Sequence, residues 1–311
     1  MSQISLFTPA IEHKEKALAA MQNLALAEAL DALHIAIQID PSLADLDTLT
    51  RAAEFLHDLG VNPKTRVAGL AGAWRHLAEA RSSMSRAQHA ILASLLCEHV
   101  VELLPPDYCD YAAPESRTLH IGYCYLVLKN ADAAHQKLLD YLTARPHEFH
   151  PALWGYFGDA CWLLKRRDES NSGYVRALFM DSQSLDLPML KHPELRRIYE
   201  ELVNRHGAET GLALLPIESW LRGVLHIPRN NTYLATFIQQ QRFDHSAELL
   251  LYGAQRYHQF ALCLFIDQSG LHGDLDFDAR VEMQRLDGEL FRRYLAAIAS
   301  RPGTERILER W

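Results

Sequence analysis

The sequence predicts an all-α protein built from paired helices, and three observations predict it. Apolar residues recur at three- and four-residue steps through most of the chain. No stretch alternates with period two for long enough to make a sheet. A hydrophobic share of 49% is carried by a chain of 311 residues with only 15 Gly and 13 Pro, a balance that suits helices. Such a chain can bury a large core without disulfides or metals.

The first periodic run places Ala17, Met21 and Leu24, then Leu26, Leu30, Leu33 and Ile37, and Asp40-Pro41 stops it. Helices are predicted next at about 43–59, 64–81 and 85–104. They are separated by Gly60-Val61-Asn62-Pro63 and Pro105-Pro106, since Gly suits a left-handed cap and Pro cannot continue a helix. The weakly patterned stretch 107–115 reads as a loop. Helix pairs follow at 116–129 with 132–145 and at 150–165 with 168–181. A break from Ser182 to Pro193, carrying Pro188 and Pro193, precedes a helix with Leu195, Ile198, Tyr199 and Leu202, and residues 210–225 are helical. After His226-Ile227-Pro228-Arg229-Asn230 come a pair at 231–241 and 244–257 and the apolar stretch Phe260 to Ile266. A loop from Asp267 to Asp276 then leads to one last amphipathic helix at 277–299.

Within the second of these pairs, Trp154, Phe157, Gly158, Cys161, Ser170, Tyr174 and Ala177 resemble the tetratricopeptide repeat pattern, W-x2-L-G-x2-Y followed by A-x3-F and a closing Pro. Phe157 and Ser170 depart conservatively, Cys161 replaces an aromatic, and the Pro is missing near Ser182. In such a unit Gly158 and Ala177 let two helices approach closely, while Trp154 and Tyr174 fill the space between them and a neighbour. Ile121, Gly122, Tyr125, Ala134, Leu138 and Pro146 hold the same relative places one pair earlier, Gly122 lying 36 residues before Gly158. Ala17, Ala20, Ala29, Leu33, Ala36 and Pro41 repeat the spacing at the N-terminus, and Leu234, Ala235, Ile238, Ala247, Leu251 and Ala254 do so in a more degenerate form. The resemblance implies a helical-hairpin α-solenoid with irregular helical flanks. Its parts would be an N-terminal helical region at 1–104 with one degenerate hairpin, two hairpins at 116–182, and a C-terminal helical region at 183–311 with another degenerate hairpin. Whether these make one continuous domain stays open.

The resemblance also implies a function. The first helix of each hairpin would line a concave face that takes an extended peptide or a helix of a protein partner. The residues expected there are His120, Tyr123 and Leu126, with Val127, and then Tyr156, Asp159 and Trp162, with Leu163. Aromatic side chains at such places are favoured binding anchors. The alternative is that a later segment packs into the groove and makes them core residues.

Composition and motifs narrow the other classes. A formal charge of −8 argues against general nucleic-acid binding, which needs phosphates to be neutralised. The clusters Lys165-Arg166-Arg167, Arg196-Arg197 and Arg292-Arg293 read as solvated helix ends and faces. Cys97, Cys109, Cys124, Cys161 and Cys263 are odd in number and widely spaced, so they read as small core residues in a reducing compartment. No basic-then-apolar leader and no apolar run near 18 residues occurs, which places the chain in the cytoplasm with no membrane span.

Chemistry finds little support among the motifs. No GxSxG elbow, phosphate loop or GxGxxG turn is present, so no cofactor is expected. His147-Glu148-Phe149-His150 lacks zinc-helix spacing, and Cys97-Glu98-His99 and Cys109-Asp110 have no assignable partner. Asp267, Asp274, Asp276 and Asp278 lack the Gly and distal Glu of a calcium loop and read as a turn with an Asp cap. The leading expectation is therefore a protein-binding scaffold without enzymatic activity. A second is an enzyme or small-ligand sensor with a pocket in 183–311 that uses His206, His226, His245 or His258. A third is a structural subunit that self-associates as a homo-oligomer through its terminal helices.

Overall fold

The computed structural model describes residues 8–105, 119–146, 148–187, 190–228, 237, 253–270 and 278–300. Among them the chain is all-helical, with no strand. It divides into two compact units, residues 1–137 and 138–311. The boundary falls within a helix of the 116–182 region.

The first unit holds α1 (Thr8–Gln22), α2 (Leu26–Ile39), α3 (Leu46–Asp58), α4 (Val67–Glu79), α5 (Arg86–Leu103), α6 (Ile121–Val127) and the start of α7 (Ala131–Ala144). α1 packs on α2 and α2 on α3, while α5 packs on α3, α4 and α6. The α1–α2 turn is made by Leu24 at φ +54°, with the Ala25 amide donating to the Ala20 carbonyl at 2.9 Å. The face α2 buries is largely alanine, Leu26, Ala29, Ala32, Leu33 and Ala36, so the helices can approach closely. Leu30 and Ile37, expected in that stripe, lie at its half-buried edge. Gly60 ends the third helical segment as expected. At φ +72° it lets its own amide reach the His57 carbonyl and the Val61 amide reach the Leu56 carbonyl. The Ser85 hydroxyl caps α5 by accepting from the Gln88 amide at 3.1 Å.

The second unit holds the rest of α7, α8 (Pro151–Leu163), α9 (Arg167–Asp181), α10 (Pro193–His206), α11 (Ala208–Leu221), α12 (Ala254–Ser269), α13 (Ala279–Leu286) and α14 (Gly288–Ala299). α8 pairs with α9 and α10 with α11; α12 lies against both α9 and α11, and α14 packs on α13 and α11. Two predicted boundaries move. The loop expected from Asp267 begins only at Gly270, because Asp267 is buried inside α12 and paired with Arg280 at 2.9 Å. The last helix is two, because the Asp287 carboxylate caps a new start by accepting from the Leu290 amide at 2.9 Å. The predicted loop at 107–115 and nearly all of the predicted pair at 231–241 and 244–257 lie outside the described residues; the described end of that pair, 254–257, opens α12, which runs unbroken through the apolar stretch Phe260 to Ile266. No described helix is long and apolar enough to cross a membrane.

Candidate functional site

α8 starts at Pro151, which suits a first helical turn because its missing amide has no partner there in any helix. From Leu153 to Cys161 every residue of it is buried, as expected of a helix enclosed on more than one side. On one side lies α9. The approach is close because both helices present glycine: a Cβ on Gly173 would stand 2.8 Å from the Gly158 nitrogen and 3.0 Å from the Trp154 oxygen. The Tyr174 ring covers Gly158, and the Ser170 hydroxyl donates to the Gly158 carbonyl at 2.8 Å. Gly158 was legible as a close-approach residue; its counterpart is Gly173, whereas Ala177 faces Gly155.

α8 carries Tyr156, Asp159 and Trp162 three residues apart and so in one row. Beyond α9, residues 185–187 and 190–192, together the strap, meet this row; the Leu187 amide donates to the Leu185 carbonyl at 3.0 Å and the Leu190 amide to the Leu187 carbonyl at 3.1 Å. Asp181 turns the chain at the end of α9 by accepting from the Gln183 amide at 3.0 Å and from the Ser184 hydroxyl. Leu185 then leaves in extended conformation and fills a notch over Gly155, where an added Cβ would be 2.6 Å from its Cδ1. Tyr156 donates its hydroxyl to Asp186 at 3.2 Å. The Lys191 amide donates to Asp159 Oδ1 at 2.7 Å, and the His192 ring lies 3.9 Å from the Trp162 ring, centroid to centroid. Buried Leu190 offers its carbonyl to the Arg196 guanidinium, and His192 caps α10 by accepting from the Leu195 amide at 3.4 Å.

The electrostatics of the row follow from its burial. Asp159 is 2% exposed and also accepts from the Tyr174 hydroxyl at 2.5 Å. Removal from water pushes its carboxyl up to about 7, against the opposing pull of those two hydrogen bonds. Tyr174 is raised well above its ordinary value by burial and by the neighbouring carboxylate. His192 is pushed down to about 4, first by burial and then by Arg167, whose guanidinium sits 3.5 Å from the Trp162 ring centroid. Beside this corner a recess of about 490 Å³ is edged by Trp162, Arg167, Asn171, His192 and residues 224–228. Asn171 holds that loop from both ends of its amide, to the His226 carbonyl at 2.7 Å and from the His226 amide at 2.9 Å.

Of the eight residues expected on an open face, five are placed differently. His120, Tyr123 and Leu126, in the first unit, are buried; His120 caps α6 by accepting from the Gly122 amide at 3.0 Å, and Tyr123 packs edge-on to Trp74 at 5.1 Å. Tyr156 and Asp159 are buried and bonded to Asp186 and Lys191, whereas Val127 and Trp162 keep partial exposure and Leu163 is exposed. Five of the eight are therefore interior because other parts of the chain cover them.

The three described histidines of those named for a pocket are not brought together. His226 edges the recess, His206 is exposed at the end of α10, and His258 is half-buried on α12 with its value lowered by burial. No hydrogen bond or ion pair joins these three among the described residues. His245, His147, Cys109, Asp274 and Asp276 lie outside the described residues. Asp278 caps α13, accepting from the Arg280 amide at 2.8 Å. Asp267 serves a buried tie to Arg280 and the Tyr294 hydroxyl rather than a metal loop. The alternative of a later segment over the groove was weighed from the sequence; what sequence reasoning missed was that residues around Leu185 and Lys191 supply it, with Gly155 as the notch for Leu185. Compared with known proteins, the chain matches no family model, no curated protein and no solved structure.

Proposed function

We propose that this chain is a protein-interaction scaffold, a tetratricopeptide-like helical array whose α8 row holds an extended segment of a partner protein. One observation carries the reading. Each residue of the row, Tyr156, Asp159 and Trp162, engages a different point of the chain's own polypeptide beyond α9: the Asp186 carboxylate, the Lys191 amide and the His192 ring. A hydroxyl, a carboxylate reading a main-chain amide, and a ring for stacking are the elements of recognition for an extended peptide. The test compares capture of native partners by the unaltered chain and by Trp162→Ala. A partner lost from Trp162→Ala while the helical signal is kept supports the scaffold and its site. Identical capture by both would move the site elsewhere, and no specific capture by either would end the reading.

A second reading, a small-ligand sensor, is favoured by the recess beside Trp162, where Arg167, Asn171, His192 and His226 present polar groups around about 490 Å³. Thermal-shift screening against small anions and aromatic acids tests it, with a gain in melting temperature that Arg167→Ala removes as the supporting result.

A further inference from the structure

The recess of about 490 Å³ beside Trp162 lies within the second unit, and two of its sides are held in place. One side is the loop after α11. Gly223 at φ +71° turns the chain out of the helix, its amide donating to the Trp220 carbonyl at 3.0 Å while the Val224 and Leu225 amides reach the Ser219 carbonyl at 2.9 and 3.1 Å. Asn171 of α9 then bonds the His226 main chain twice, and Leu225 is buried, so a largely apolar wall from Val224 to Pro228 is fixed before any ligand arrives. The other side is Trp162 with the Arg167 guanidinium over its ring.

The polar groups around the recess divide into engaged and free. The Ser170 hydroxyl donates to the Gly158 carbonyl, both ends of the Asn171 amide are taken by His226, and His192 Nδ1 accepts from the Leu195 amide. Arg167 makes no hydrogen bond or ion pair among the described residues; its contact is with the Trp162 ring. A guanidinium lying on a ring face keeps its N–H edge available to fork onto a carboxylate. His192 adds no second cation near neutral pH, since burial and Arg167 push it down to about 4. Asp168 brings a negative charge to the rim. A dianion would therefore face one cation and one repelling carboxylate, whereas a single carboxylate matches the charge on Arg167.

We infer that the recess binds a small monocarboxylate with an apolar body, its carboxylate on Arg167 and its body against the wall from Val224 to Pro228. This rests on the small-ligand reading above and names its ligand class. A plain organic acid and an α-amino acid share this chemistry, and Asp168 gives the amine of the second a partner.

Calorimetric titration of the full chain at neutral pH and constant ionic strength tests it, with phenylpropionate, L-phenylalanine, acetate, inorganic phosphate and phenethylamine as probes. Phenylpropionate is expected to bind saturably and at least about tenfold more tightly than acetate or phosphate. Arg167→Gln, a change at an exposed position, is expected to weaken it about tenfold or more with the helical signal kept. Tighter binding of L-phenylalanine assigns an amino acid and tighter binding of phenylpropionate a plain acid; both support the class. Phosphate bound as tightly as phenylpropionate reduces the site to an exposed cation and overturns the inference. Phenethylamine bound in place of the acids also overturns it. Either result keeps a small-ligand recess while removing this class, whereas no saturable binding of any probe, with a silent thermal-shift screen, removes the reading as well. Should Arg167→Gln lose its helices, Ile227→Ser alters the wall alone: weaker phenylpropionate with unchanged acetate supports the inference, and unchanged binding of both overturns it.

Discussion

The Lys191 amide and the Tyr174 hydroxyl converge on one atom, Asp159 Oδ1, at 2.7 and 2.5 Å. One oxygen thus ties α8, α9 and the strap together. Asn offers the same oxygen without a charge to bury, so Asp159→Asn keeps both bonds.

The pH dependence of this tie follows from two opposite shifts. In the folded chain Asp159 holds its proton up to about 7, while the unfolded chain releases it near its ordinary 3.8. A raised acid favours the folded form below about 4 and loses that advantage as pH rises toward 7. His192 works the other way: lowered to about 4 from 6.5, it favours the folded form above 6.5 and loses that advantage as pH falls. The groups facing them are Tyr174, Lys191 and Asp186 around Asp159, and Arg167 and Glu194 around His192. The two slopes oppose each other between about 4 and 6.5. Relative to the unaltered chain, Asp159→Asn should gain stability with rising pH, reaching on the order of 4 kcal/mol above pH 7. His192→Phe should show the reverse, a stability difference from the unaltered chain that becomes less favourable as pH rises from 4 to 6.5. Urea midpoints across a pH series measure both, and parallel curves for all three proteins would contradict the assignment.

Two glycines of the hairpin should respond oppositely to alanine. Gly173→Ala drives a Cβ against the Gly158 backbone, which has no room to move, so a loss of about 1 to 3 kcal/mol or more is expected in thermal or urea unfolding. Gly155→Ala meets only the end of the flexible Leu185 side chain and gains about 1 kcal/mol of helix propensity. It should keep the hairpin folded while lifting Leu185, seen as faster tryptic cleavage after Lys191. A larger loss for Gly155→Ala than for Gly173→Ala would contradict this packing.

The pair Arg280–Asp267, buried at both ends, supports the second unit through the Tyr294 hydroxyl on α14. Arg280→Ala leaves a buried carboxylate without its cation and should cost about 3 to 5 kcal/mol. Asp267→Asn, which keeps an acceptor for Tyr294, should cost less. Denaturant unfolding of the two variants decides the order.

Helix existence was legible because apolar spacing reports one buried face, and the Gly60 stop was legible because only a left-handed residue closes that turn. Gly158 and Tyr174 stood out by their place in a repeat pattern. Gly155 and Gly173 did not, since their meaning depends on an atom across an interface. The prolines at 188 and 193 marked a break, yet nothing in Leu185-Asp186-Leu187 has a period that points it back to α8. For that reason Tyr156 and Asp159 read as exposed when they are covered. The division of the last helix at Asp287-Gly288 carried a local cap signal, masked by apolar spacing that continues through it.

The most direct test of the scaffold reading is native-state hydrogen exchange at the Lys191 amide, compared with the amides of Asp159 and Tyr174 in α8 and α9. A partner reaches the α8 row only where the strap leaves it while the hairpin stays folded, so the Lys191 amide is expected to exchange faster than both and to keep an opening free energy insensitive to low denaturant. Exchange of Lys191 only together with the α8 and α9 amides, at the free energy of global unfolding, would show a fixed structural segment and contradict the account.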